Sequence, residues 1–119
     1  MITGLDHVQV AIPAGTESAA RQFYGDVLGM EEIPKPPALA RRGGCWFTSG
    51  SAVLHLGVEV PFIPAKKAHP AFLVTDLDAL AAVLVAEGGD VTPSDGELPG
   101  IRRFHTFDPF GNRLEFQQA

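Results

Sequence analysis

The feature that most narrows what this chain can fold into is a repeat. One order of strand, helix and three strands is written twice, beginning near His7 and again near His69. Residues 5–12 contain β-branched residues in usable alternation and read as a strand, which Pro13 and Gly15 end. Thr16 stands where an N-cap belongs. After it Ala19, Ala20, Phe23, Tyr24, Val27 and Leu28 recur at helical spacing until Gly29 stops the helix. A short strand is expected over 30–33. The prolines at 34, 36 and 37 then predict an extended, non-helical loop, a candidate rim or lid. Residues 45–48 and 52–56 read as two strands of a hairpin turning through Ser49-Gly50-Ser51.

The second half repeats the order. A strand is expected over 69–74, and Thr75 with Asp78 reads as a Thr-x-x-Asp capping box. Leu77, Leu80, Ala81, Leu84 and Val85 give the helix that follows its apolar face, and Gly88-Gly89 ends it. After a short strand over 90–92, residues 101–107 and 113–117 form a closing hairpin around Asp108-Pro109-Phe110-Gly111-Asn112. In that turn proline presets one backbone angle and glycine supplies a positive one. The stretch 60–67 has two prolines and no period, which marks a connector. At 119 residues the chain has length for one core and not for two ordinary domains. We therefore expect one α+β domain over 1–119, with module 1 over about 1–60, the connector over about 60–67 and module 2 over about 68–119. The two βαβββ modules would form a cupped mixed sheet with helices on the outside.

Charge and cysteine content remove several function classes. A net charge of −5, with basic residues adjacent to one another only in the short, scattered pairs Arg41-Arg42, Lys66-Lys67 and Arg102-Arg103, argues against a nucleic-acid or anionic-membrane partner. The single cysteine, Cys45, cannot form an intrachain disulfide and reads as a small buried hydrophobe. No basic-then-apolar leader or long apolar run is present, so the expected location is cytoplasmic.

The repeat gives its ligand-type residues meaning. His7 and His69 fall on the first strand of each half, 62 residues apart, and His55 and Glu115 fall on the fourth, 60 residues apart. In the last strand Arg113, Glu115 and Gln117 share one face while Leu114 and Phe116 share the other, so a core under Leu114 puts Glu115 on the opposite side. Four such residues in two related pairs point to a divalent metal held by His7, His55, His69 and Glu115. Imidazoles with a carboxylate suit Zn²⁺, Ni²⁺, Mn²⁺, Co²⁺ or Fe²⁺ alike. Glu115 is the candidate catalytic group, as a ligand or as a base. Gln9, Trp46 and Arg103 are candidates for contacting a small-molecule substrate, with Trp46 and Phe47 on opposite faces of their strand. His105 has no partner in the repeat and reads as structural or pocket-lining.

The opening Gly4-Leu5-Asp6-His7-Val8, the segment Phe23-Tyr24-Gly25-Asp26-Val27-Leu28-Gly29-Met30, the strand at His69 and Asp108-Pro109-Phe110-Gly111-Asn112-Arg113-Leu114-Glu115 together resemble the vicinal oxygen chelate superfamily. That group includes glyoxalase I, extradiol dioxygenases, fosfomycin-resistance and bleomycin-resistance proteins. The resemblance implies paired βαβββ modules and a divalent metal bound from the first and fourth strands, here His7, His55, His69 and Glu115. Glyoxalase I usually has glutamate where this chain has His55, whereas two histidines and a glutamate, as in the fosfomycin and extradiol enzymes, match His7, His69 and Glu115. The implied activity is that of a lyase, isomerase, dioxygenase or thiol transferase. Its substrate would chelate the metal through adjacent oxygens, with the metal acting as a Lewis acid. The other class the resemblance implies is a metal-free protein of the bleomycin-resistance kind that sequesters a ligand. Strand edges that need covering imply a homodimer.

Overall fold

The structure, a computed structural model, describes residues 1–119. It falls into two compact units, Met1–Pro64 and Ala65–Ala119. Each unit is a βαβββ module with its own four-stranded mixed sheet, which is the α+β fold expected from the repeat. No helix is long and apolar enough to cross a membrane.

In the first unit β1 (Val8–Ile12) leads to α1 (Glu17–Ala20), which continues as a π-helical stretch (Arg21–Val27). Then come β2 (Glu31–Ile33), α2 (Pro37–Ala40), β3 (Cys45–Ser49) and β4 (Ala52–Val58). The sheet order is β1-β4-β3-β2, with β1 parallel to β4 and the other pairs antiparallel. Alternation decides which side is the core. Val10, Ile12, Cys45, Phe47, Leu54 and Leu56 are buried on one face, and Ala20 and Tyr24 of the helical segment are fully buried as well. The Tyr24 and Phe47 ring centroids lie 6.2 Å apart, joining helix to sheet. Burial raises the Cys45 thiol to about 11, so it packs as a hydrophobe and stays protonated.

The second unit has the same plan. β5 (Ala71–Val74), α3 (Leu77–Ala86), β6 (Thr92–Pro93), β7 (Arg103–Phe107) and β8 (Arg113–Gln118) give the order β5-β8-β7-β6, again with one parallel pair, β5 and β8. Phe104, Leu114 and Phe116 are buried on one sheet face, and Leu77 and Leu84 are buried on α3. The turn between β7 and β8 is braced from within. Asp108 Oδ1 accepts from the backbone N–H of Phe110 and Asn112, the Asn112 amide donates to Asp108 Oδ2, and Gly111 takes φ +93°. Asn112 Oδ1 in turn accepts from the Ala65 N–H, tying the start of the unit to its last hairpin.

Several local expectations need correction. The cap of α3 is Asp76, whose carboxylate accepts from Ala79 N–H at 3.0 Å, and not a Thr75–Asp78 box. Gln118 Oε1 takes the Leu77 N–H, and Asp78 pairs with Arg102 at 2.7 Å instead. Thr16 is at the N-cap position of α1, but its hydroxyl donates to Pro13 O and makes no cap bond. Pro37 does not prolong the extended loop: it opens α2, because a missing N–H costs nothing at the first helical position. Val85, read as part of the α3 core face, is exposed. His7 and His69 lie just ahead of their strands, which begin at Val8 and Ala71.

Candidate metal centre

The registers of the two sheets let the units be compared residue by residue. In the first, His55 of β4 is flanked by Gln9 of β1 and Trp46 of β3; in the second, Glu115 of β8 is flanked by Ala71 of β5 and His105 of β7. His55 therefore corresponds to Glu115, Trp46 to His105 and Gln9 to Ala71. His7 and His69 each precede their edge-strand position by two residues. Alternation turns all of these away from the buried face of their own sheet.

In the second unit these positions form a polar cluster. The Glu115 N–H donates to Pro70 O, which brings the end of the connector, and His69 with it, alongside β8. His69 Nε2 and His105 Nε2 each lie 3.0 Å from the same oxygen, Glu115 Oε1. Arg103 Nη1 donates to that oxygen at 3.2 Å, and Gln117 Nε2 donates to Oε2 at 2.6 Å. One donor atom from each of His69, His105 and Glu115 falls within 4.8 Å of the others, close enough to share an ion. The side chains of Glu115 and His105 are 5% and 11% exposed, that of His69 21%. Burial pushes the Glu115 carboxyl up, but hydrogen bonds from Gln117, His69 and Arg103, with the charge of Arg103, outweigh it and hold the group at about 2. Burial and the nearby Arg113 lower His105 against the opposing pull of Glu115, favouring the neutral ring that a metal requires.

Both histidines have their outer nitrogens fixed. His69 Nδ1 is 2.7 Å from Lys67 O, an acceptor only, so Nδ1 carries a proton and Nε2 is the ring atom free to donate to Glu115 or to bind an ion. His105 Nδ1 is 2.9 Å from the Ser94 hydroxyl. Ring nitrogens held from behind by a carbonyl or hydroxyl are the usual support of a ligating imidazole. On donor chemistry this set fits a divalent ion.

The first unit puts rings where the second has its polar cluster. Trp46 and His55 stack with centroids 3.7 Å apart, His7 and His55 with centroids 3.9 Å apart, and His7 Nδ1 pairs with Asp6 at 2.8 Å. Burial and the neighbouring His7 lower the basicity of His55. Phe47 is core and Trp46 lies on the other face, as alternation required. Gln9 has its amide against Gly57, where a Cβ would meet it at 3.0 Å. Of the expected residues, His69, Glu115 and Arg103 are in contact in one unit, and His7, His55 and Trp46 in the other. His105, expected to be structural or pocket-lining, is in direct contact with Glu115. The turn length could have revealed it, because pairing Phe107 with Arg113 sets His105 opposite Glu115.

The comparisons with known proteins agree with this fold. A glyoxalase family protein from Bacillus anthracis is 52% identical, with TM-score 0.94 over all of this chain and 97% of that one. A genomically encoded fosfomycin resistance protein from Listeria monocytogenes, at 17% identity, has TM-score 0.76 over 100% of this chain and 95% of its own. TnmS3, an antibiotic binding protein from Streptomyces sp. CB03234, at 21% identity, has TM-score 0.73 over 99% and 97%. The last two likenesses are of fold alone. No curated protein matches this chain. A family profile matches residues 4–116, and the chain belongs to the Glyoxalase/Bleomycin resistance protein/Dioxygenase superfamily.

Proposed function

We propose that this chain is a divalent-metal-dependent enzyme acting on a small molecule with adjacent oxygens, with the ion held by His69, His105 and Glu115. One observation carries the reading. His69 Nδ1 is committed to Lys67 O, so its Nε2 and that of His105 both face one carboxylate oxygen, each 3.0 Å away, where a proton on each ring nitrogen or one shared cation can join them. Two imidazole nitrogens converging on one carboxylate oxygen are a donor set that a divalent cation can take over by displacing those protons. His7 is kept as a further proposed ligand on the repeat alone, whereas the ring stack is the better account of His55. A bound Zn²⁺, Ni²⁺, Mn²⁺, Co²⁺ or Fe²⁺ would supply Lewis-acid polarisation of a chelating oxygen, which suits lyase, isomerase, dioxygenase or thiol-transferase chemistry. Glu115 stays the candidate catalytic group, as a ligand or as a base; ionised at neutral pH and oriented by Gln117 and Arg103, it is better suited to holding the ion than to keeping a proton.

Elemental analysis of protein purified without chelator or affinity tag tests this. We expect metal near stoichiometric in the native chain and lost in His69→Ala, His105→Ala and Glu115→Gln; loss in His7→Ala adds that residue to the set. If the native chain neither carries nor binds any of the five ions, the enzyme reading falls. A second reading then leads, a metal-free protein that sequesters a ligand, for which the Trp46–His55–His7 stack offers a flat aromatic surface. On either reading the partner is a small molecule, and we place the chain in a homodimer. Leu73 is 70% exposed on β5, an edge strand of its sheet. Light scattering should return twice the chain mass; a monomer at micromolar concentration would refute the dimer.

A further inference from the structure

Arg103 is the charged group at the Glu115 cluster whose hydrogen bonding is unfinished. Its side chain is 15% exposed, with Nη1 on Glu115 Oε1 at 3.2 Å and Nη2 on Glu97 Oε2 at 2.9 Å. Its Nε is buried, and the chain supplies it no acceptor. A guanidinium presents Nε–H and one Nη–H side by side as a rigid fork, whose spacing matches two oxygens of a carboxylate or a phosphate. Glu97 reaches this guanidinium with one oxygen only.

Glu97 is also a weakly held partner. Its side chain is 66% exposed, on the segment between β6 and β7. That segment touches the cluster at Ser94, through His105 Nδ1, and at Asp95, whose Oδ1 accepts from the Arg103 backbone N–H at 3.0 Å. An exposed carboxylate on a single prong contributes little, because solvent screens it and ordering a long side chain opposes it. The buried N–H left over costs stability until something accepts from it. An oxyanion that engages both prongs would do better on both counts.

We propose that the Nε and outer Nη of Arg103 form an oxyanion subsite, occupied in the free protein by Glu97 as a built-in competitor. Since Nη1 of the same guanidinium rests on Glu115, an anion held there lies next to the metal cluster. The substrate class narrows accordingly: adjacent chelating oxygens on a molecule that also bears a carboxylate or phosphate. This narrowing rests on the metal reading, while the fork itself does not. Lysine cannot replace Arg103, because an ammonium is a point charge with no planar fork.

The test follows the arginine Nε–H resonances of isotope-labelled protein by NMR during titration with sodium acetate or inorganic phosphate. It is run on chelator-treated and on Zn²⁺-loaded protein. The Arg103 signal, identified by its absence from Arg103→Lys, should move and saturate, and whichever anion saturates first names the preferred group. Glu97→Gln, which removes the competitor and its charge, should tighten binding about tenfold, and Arg103→Lys should abolish the saturable response. The amide spectrum of each variant shows that it is folded. No saturable shift with either anion, or equal affinities in native and Glu97→Gln protein, overturns the proposal. Saturation in a chain that binds no metal keeps the subsite and sinks the metal reading; metal uptake without any anion response does the reverse.

Discussion

In metal-free protein, Glu115→Gln should remove on the order of 3 kcal/mol of stability at neutral pH, and that loss should shrink as the medium is acidified. The carboxylate is 5% exposed and accepts from Gln117, His69, His105 and Arg103. An amide cannot accept from all of them, and it leaves the Arg103 charge without its inner partner. The sign follows from the group being held at about 2, below its ordinary 4.5. Its contribution is fully present above about pH 4.5 and disappears as the pH falls from there toward about 2. Urea denaturation of both proteins, from about pH 7 down to about pH 2.5, gives the difference directly. A difference that does not change with pH would show that Glu115 does not hold its proton as weakly as the geometry requires.

Gly44→Ala should be the most damaging substitution of a small residue in the first unit. Gly44 has φ +82°, and a Cβ built on it would lie 2.0 Å from the carbonyl oxygen of Leu56. That oxygen belongs to β4, paired with the start of β3, so the obstacle is backbone and cannot rotate away. The Gly44 N–H also donates to Glu17 Oε2 at 2.9 Å, tying the entry of β3 to α1. We expect a loss of about 3 kcal/mol or more, a large part of the stability of a small domain. Gly50→Ala is the control: its φ is +55° with no atom within 4 Å of the added Cβ, so only the backbone penalty of about 1 kcal/mol applies. Thermal melts that rank the two equally would mean that β3 and β4 are not packed as described.

The fold was legible because each module is punctuated by residues that permit few conformations. Gly29 and Gly88 end helices with positive φ, and Asp108 to Asn112 can hardly be anything but a tight turn. The pairing of His69 with Glu115 was legible for a related reason, since alternation around Leu114 and Phe116 leaves Glu115 only one side to occupy. What failed was whatever depended on a choice among near-equal partners. Either Thr75 or Asp76 can cap a helix, and the one that does is Asp76, while Asp78 pairs with Arg102. His105 has no ligand-type counterpart in the first half, where Trp46 takes that place, so the repeat does not single it out. The contact of Arg103 with Glu97 joins a strand to an irregular segment, and no periodicity could have announced it.

The correspondence of Trp46 with His105 and of His55 with Glu115 bears on how such a chain changes over generations. A doubled gene leaves two copies of one backbone address, and selection on one copy does not bind the other. Here one copy writes a charged, hydrogen-bonded cluster at that address, while the other writes three flat rings. The strand register is shared while the side chains differ, so the chemistry at this address can change by few substitutions and without a change of architecture. Trp46→His with His55→Glu would give both sheets the same pair of side chains at these two positions.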